Sequence, residues 1–502
     1  MPAFQVSSLF SDGAVLCREK EIRVFGTAQP KVEVSASLYG ADGQLLGSDT
    51  AQEAEGRFLC VLPPQRAQVG CVLTVKSGDA QAMFCDLAIG DVYLANGQSN
   101  MELELQNADE GLNCIEHHEN PLVRYYNVPK RARNGEDTDQ ANQEARWVKI
   151  APGTARDMSA VAYFFAMQLQ PQLGVPVGII DCYWGGTSIT CWMAEETMEG
   201  LAEGQRYLRE YADQSRGKTM AEYLREEAAF NQEMDAWNGA VAALKAEKPG
   251  ITWPEINEQA GPCPWHPPVG PGSPYRPGGL HDTMLRRLIP CALSGVLYYQ
   301  GEEDTARTAH YDQLLMAYIL WLRQAFRDDT LPFLNVQLPM WIADGAQDSF
   351  TWPRLRLAQQ RVADAIQHTG LVMLLDQGEY DNIHPTNKRV VGERLAAEAL
   401  RVVYGRGIAN APFAIGKYRE NQALHVALSS SVIDRGEGRF LLEMAGQDGA
   451  FYPAQVEVNG CELILTHPLV PRPTSARYAW TDYAKVRLFS ENGLPLAPFW
   501  LA

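Results

Sequence analysis

Between about residue 86 and about residue 404 the chain alternates short apolar runs with segments whose apolar residues recur at helical spacing. No other feature constrains the fold as strongly. The runs at 87–96, 175–182, 293–299, 332–338 and 371–375 read as buried strands, and the segments at 159–173, 310–326, 353–367 and 387–403 read as helices. Strands that are apolar on both faces and separated by helices assemble into a parallel sheet covered by helices. The expected core is therefore an α/β domain.

The flanks have a different rhythm. Residues 1–85 and 405–502 carry short runs of alternating apolar and polar residues, such as Lys31-Val32-Glu33-Val34-Ser35-Ala36 and Gln455-Val456-Glu457-Val458, and turn residues separate these runs. Both regions read as β-sandwich-like, the second either a separate module or one packed with the first. Within the α/β domain, residues 194–250 have helical spacing and form an expected helical insertion. Residues 261–279 hold seven prolines and five glycines and exclude helix and central strand. With Trp265 and Tyr275 in it, this segment is either a linker or a loop packed over the active site.

Composition narrows the function. The 502 residues exceed what one hydrophobic core organises, so two or three domains are expected. A formal net charge of −18 argues against nucleic acid as a partner. No run is long and apolar enough for a membrane helix, and the N-terminus lacks a signal-peptide pattern, so a cytoplasmic protein without membrane attachment is expected. The ten cysteines include no Cys-x-x-Cys pair and read as buried thiols. Adjacent histidines in Glu116-His117-His118-Glu119 point apart and make a poor metal site, so neither metal nor cofactor is expected.

In open α/β sheets, ligands bind beyond the carboxyl ends of the strands. Ser99 in Gly97-Gln98-Ser99-Asn100-Met101, Gly185-Gly186 in Trp184-Gly185-Gly186-Thr187-Ser188, and Gln300 each follow an expected strand. A serine hydroxyl becomes a nucleophile when an imidazole takes its proton. Of the nine histidines, only His384, in Asp381-Asn382-Ile383-His384-Pro385, has an aspartate three residues before it. Asp381 is thus the candidate for orienting the imidazole, although a serine–histidine pair alone is an alternative. Acyl transfer also needs donors for the developing oxyanion, each worth about 2.7–4 kcal/mol in the transition state. The backbone N–H of Ser99, that of Gly186 and the side-chain amide of Gln300 are the candidates. Gln98, Asn100, Trp184 and Glu302 are candidate substrate contacts, with Glu302 left out of the catalytic set as an anchor for nearby loops.

These blocks, with Tyr299-Gln300-Gly301-Glu302, resemble the four blocks of sialate O-acetylesterases and related carbohydrate acetylesterases of the SGNH hydrolase superfamily. The resemblance extends to Phe10-Ser11-Asp12, Pro277-Gly278-Gly279-Leu280-His281-Asp282-Thr283-Met284 and Ala476-Arg477-Tyr478-Ala479-Trp480. It implies a flavodoxin-like SGNH hydrolase domain, a metal-free serine mechanism and accompanying β-rich regions. Two positions depart from the pattern. Many relatives have Ser-Asn or Ala-Asn where this chain has Glu303-Asp304, and Gln300 stands where the superfamily more usually has asparagine.

The resulting expectation is a serine esterase that removes acetyl groups from a sugar, with sialic acid acetylated on its glycerol arm implied by the resemblance. Acetylated xylan or another plant oligosaccharide is the rival substrate, and a non-catalytic carbohydrate-binding protein the rival class. Arg276 and Arg307 are candidate cations for a sialate carboxylate, and Trp184, Trp192, Trp265 and Tyr275 candidate sugar contacts. A neutral imidazole as base would make activity fall as pH drops through about 6–7. The oligomeric state is open.

Overall fold

The computed structural model describes residues 4–133, 145–248, 250–407 and 411–502. Its centre is a sheet whose main path holds seven strands: β1 (Ala80–Gly97), β2 (Asn120–Asn127), β3 (Trp147–Ile150), β4 (Val177–Tyr183), β5 (Gly295–Tyr299), β6 (Phe333–Val336) and β7 (Thr369–Val372). The spatial order is β3-β2-β4-β1-β5-β6-β7, and every neighbouring pair is parallel except β3 with β2. The five expected strands are all present. β2 and β3 were missed because Pro121, Arg124 and Asn127 interrupt the apolar pattern of the first and the second is only four residues long.

The helices form where the spacing predicts them: α1 (Ala160–Leu173), α2 (Tyr311–Ala325), α3 (Thr351–Ala365) and α4 (Arg389–Val402). Ser159 caps the first by accepting from the backbone N–H of Ala162 at 3.2 Å. Helices cover both faces of the sheet. On β1, Tyr93 packs edge-on against Phe165 of α1, whereas Asn96 accepts from Tyr318 of α2 at 2.7 Å. Residues three apart on a strand point to opposite faces.

β1 also joins the N-terminal region to this sheet. Its first half pairs with Gln68–Ser77 in the N-terminal β structure and its second half with β4 and β5, so the expected division near residue 86 falls inside one strand. The N-terminal strands share a continuous apolar core with the α/β layer. The C-terminal strands form two four-stranded sheets around a core of their own, which includes Val426, Leu463, Met444 and Leu488 and takes in Met340 and Leu375 from the α/β layer. They anchor there through Arg356, which donates to the carbonyls of Ala479 and Thr481, and through Asp482, which accepts from Ser349 and Trp352. The expected insertion is helical, with Ala202–Ser215 and Met220–Glu247 as its long elements. No helix among the described residues is long and apolar enough to cross a membrane.

Candidate active site

Strand register assembles the site. Gly97, Tyr183 and Tyr299, the last residues of β1, β4 and β5, are direct partners across the sheet, so the chain emerges at one edge in three adjacent places. The turn after Gly97 then passes against β5. A Cβ on Gly97 would lie 2.1 Å from the carbonyl oxygen of Tyr299, and its φ of +145° is open only to glycine. The backbone N–H of Gln98 donates to that same oxygen at 3.1 Å, and a short helix starts at Ser99.

His384 arrives from the loop between β7 and α4. Its Nε2 lies 2.8 Å from Ser99 Oγ, across a sequence separation of 285 residues. His384 is exposed at the surface of the site. Burial, followed by the positive charges of Lys388 and Lys245, pushes its pKa down to about 4. The ring is therefore neutral at ordinary pH and fit to accept the serine proton.

Asp381 is not brought to this imidazole. Its Oδ1 accepts from the backbone N–H of Asp344 at 2.8 Å, its Oδ2 is buried without a partner, and it makes neither hydrogen bond nor ion pair with His384. The three-residue spacing suggested proximity, but the carboxylate goes to the Asp344 N–H rather than to the imidazole.

The oxyanion donors are divided in the same way. The backbone N–H groups of Ser99 and Gly186 donate to no protein acceptor among the described residues. Gly185, between Trp184 and Gly186, is close enough that a Cβ on it would lie 3.4 Å from Ser99 Cβ. Glu102 holds this strand end in place by accepting from the Gly185 N–H and from Lys130, whose ammonium also lies 5.5 Å from the Trp184 ring centre. Sequence patterns gave no sign of this role for Glu102.

Gln300 has to be reassigned. It is fully buried, and its Nε2 is committed to Asp304 at 2.5 Å, the Thr187 carbonyl at 3.1 Å and Gln98 Oε1 at 3.2 Å, while its Oε1 accepts from Tyr311 at 2.8 Å. Its amide has no N–H left for an oxyanion; it ties the three strand-end loops together. Asp304 serves the same purpose, accepting also from Ser188 at 2.7 Å and the Ile189 N–H at 2.9 Å.

Of the expected substrate contacts, Asn100 and Glu302 are buried and bonded to each other at 2.6 Å, behind the site rather than in it. Gln98 is also buried, and its Oε1 accepts from the N–H groups of Gly301 and Glu303 as well as from Gln300. Trp184 remains half-exposed at the cleft, and Trp192 is fully buried. The Pro/Gly-rich segment packs over the site: a Cβ on Gly186 would lie 2.0 Å from the Trp265 ring, which in turn meets Tyr275 and Phe230 edge-on. Burial, followed by the neighbouring Asp304, pushes the Glu303 carboxyl up to about 7. Arg276 is occupied by the carbonyls of Ala132 and Ser273, and Arg307 by Glu210 and the Tyr207 ring.

A serine and a neutral imidazole in contact at a strand-end cleft, flanked by free backbone donors, have the parts of an acyl-transfer site. The comparisons agree with this. Residues 273–401 match the carbohydrate esterase family described as sialic acid-specific acetylesterase. The mouse sialate O-acetylesterase is 23% identical over 99% of this chain and 94% of its own length, and the human enzyme is 23% identical over 80% and 71%. The crystal structure of a carbohydrate acetylesterase from Xanthomonas citri superposes with a TM-score of 0.76 at 27% identity, covering 99% of both chains. The protein is an esterase. Over nearly its whole length it is similar to sialate O-acetylesterases, and residues 273–401 carry the match to that family of carbohydrate esterases.

Proposed function

We propose that this chain is a carbohydrate O-acetylesterase that works through an acetyl-enzyme on Ser99, within an SGNH-type, flavodoxin-like hydrolase domain. The 2.8 Å contact between Ser99 Oγ and His384 Nε2 carries the reading. Ser99 Oγ attacks the acetyl carbonyl carbon as His384 takes its proton. Negative charge gathers on the former carbonyl oxygen, where the N–H groups of Ser99 and Gly186 are free to donate. The intermediate collapses, the ester C–O bond breaks, and His384 returns the proton to the departing sugar oxygen. Water, deprotonated by the same imidazole, then attacks the acetyl-serine; the bond from the acyl carbon to Ser99 Oγ breaks, His384 returns the proton to Oγ, and acetate leaves. Asp381 supports the loop through Asp344 and is not a member of the reacting set.

The similarity to sialate O-acetylesterases supports an acetylated sialic acid as substrate. A neutral acetylated plant oligosaccharide is the second reading, and one observation favours it: Arg307, a candidate for pairing with a sialate carboxylate, is paired with Glu210. Trp184, Trp265 and Tyr275 give the cleft aromatic surface suited to sugar rings of either kind. Acetate release from a panel of acetylated sialic acids and acetylated xylo-oligosaccharides tests both readings. Turnover of one class selects the substrate, and a wild-type rate no higher than that of Ser99→Ala on every ester rejects the serine mechanism.

A further inference from the structure

His384 faces Ser99 without a carboxylate at its other nitrogen, so something else must hold its loop in place. The side chain of Asn100, the residue after the proposed nucleophile, makes the direct connection. Its Nδ2 donates to the carbonyl of Ile383, the residue before His384, at 3.0 Å, and its Oδ1 accepts from Lys388 Nζ at 2.6 Å. Asn100 therefore grips the histidine loop on both sides of His384. A third bond, from Nδ2 to Glu302 Oε1 at 2.6 Å, fixes which way the amide points.

The chemistry of this position selects asparagine. Two acceptors, a carbonyl and a carboxylate, converge on the nitrogen, and an ammonium converges on the oxygen. An aspartate would place negative charge against both acceptors, and an alanine would leave all three partners unpaired in a site where Asn100 is 0% and Lys388 1% exposed. Lys388 also lies 5.4 Å from the ring centre of Tyr299, the residue against which Gly97 turns. The clamp thus connects the nucleophile turn, the end of β5 and the start of α4.

We propose that Asn100, held between Lys388 and Glu302, is the positioning residue that keeps the His384 loop against Ser99. The inference rests on the serine–histidine reading given above. The charged groups around His384 are Lys388 at the start of α4, Lys245 from the insertion helix, Glu302 through Asn100, and Glu379 and Asp381 on its own loop. Burial and then Lys388 and Lys245 lower its proton affinity; burial pushes Lys388 itself down to about 7 against the opposing pull of Glu302 and Glu379, so it carries its charge in the acid range where His384 titrates.

The test is steady-state kinetics on a chromogenic acetate ester from pH 4 to pH 9 for wild type, Asn100→Ala, Asn100→Asp, Lys388→Met and Ser99→Ala, with thermal unfolding of each. A loosened imidazole is expected to lower kcat by about 100-fold in both Asn100 variants while KM changes by less than about threefold. Lys388→Met is expected to move the acid limb of the profile upward, because a positive charge near His384 has been removed. Folded Asn100 variants that keep kcat within threefold overturn the inference. If those variants do not fold, Lys388→Met, which removes the donor to Asn100 Oδ1, decides: a kcat within threefold of wild type overturns it, and a loss of about 100-fold with KM little changed supports it. Loss of activity in Ser99→Ala alongside active Asn100 variants rejects the clamp and keeps the esterase reading, whereas an active Ser99→Ala rejects the reading itself.

Discussion

Gly97 lies so close to Tyr299 that no side chain fits between them: a Cβ would come within 2.1 Å of the Tyr299 carbonyl oxygen. This contact lets the β1 turn pass over the end of β5 and sets Ser99 beside the loops that follow β4 and β5. Gly97→Ala is expected to cost at least about 1–3 kcal/mol from its backbone conformation alone. Esterase activity should be lost even where a folded fraction survives. A variant with wild-type unfolding temperature and turnover would contradict the role given to this contact.

The serine–histidine pair predicts an unequal mutational series. Ser99→Ala and His384→Ala should each lose about four decades in turnover, as other nucleophile–base pairs do. Asp381→Asn should lose less than about tenfold, because the aspartate binds the Asp344 N–H rather than the imidazole. Single-turnover measurement of acetyl-enzyme formation checks the series. A loss of three decades in Asp381→Asn would restore the aspartate to the reacting set.

The environment of His384 sets the direction of the pH response. The imidazole acts as base only when neutral, and its pKa is depressed from the ordinary 6.5 toward about 4. The neutral form therefore persists as pH falls, and the decline expected from the sequence at about pH 6–7 moves to lower pH. A profile of kcat/KM against pH should show an acid limb with its midpoint well below 6.5. A midpoint at or above 6.5 would show that burial and the two lysines do not act on the ring as described.

Gly186 and Trp265 should behave as a coupled pair. A methyl group on Gly186 meets the Trp265 ring at 2.0 Å, and the φ of +69° resists any side chain. Gly186→Ala is expected to lower kcat by about 10- to 100-fold by moving a free N–H away from the developing oxyanion. Adding Trp265→Ala should recover part of that loss by making room for the methyl group. A double variant no better than the single one would place the whole cost in the backbone and none in the tryptophan.

Much of this was legible along the chain. The five strands and four helices read from apolar spacing all appear, within about three residues of their expected ends apart from β1, which starts at Ala80 rather than at 87, because periodicity records which positions a local segment buries. Ser99 and His384 were recognisable because an acyl-transfer site requires those residue types after strands and in loops before helices. The direction in which a long polar side chain points was not legible. Gln300, Asn100 and Glu302 stand beside the site in sequence but face into the protein: Tyr311 donates to Gln300, Lys388 and Ile383 partner Asn100, and Asn100 donates to Glu302.

The sequence by itself determined the elements, their order and the residue types that carry the chemistry, since each depends on local pattern and intrinsic reactivity. Tertiary structure alone decided which of those residues meet. The register that aligns Gly97, Tyr183 and Tyr299 places the serine turn beside the Gly185-Gly186 loop. The carboxylate of Asp381 goes to the Asp344 N–H and makes no hydrogen bond with His384. Hydrogen bonds are short-ranged and directional, so a difference of a few ångströms between distant segments separates a reacting group from one that holds the reacting groups in place.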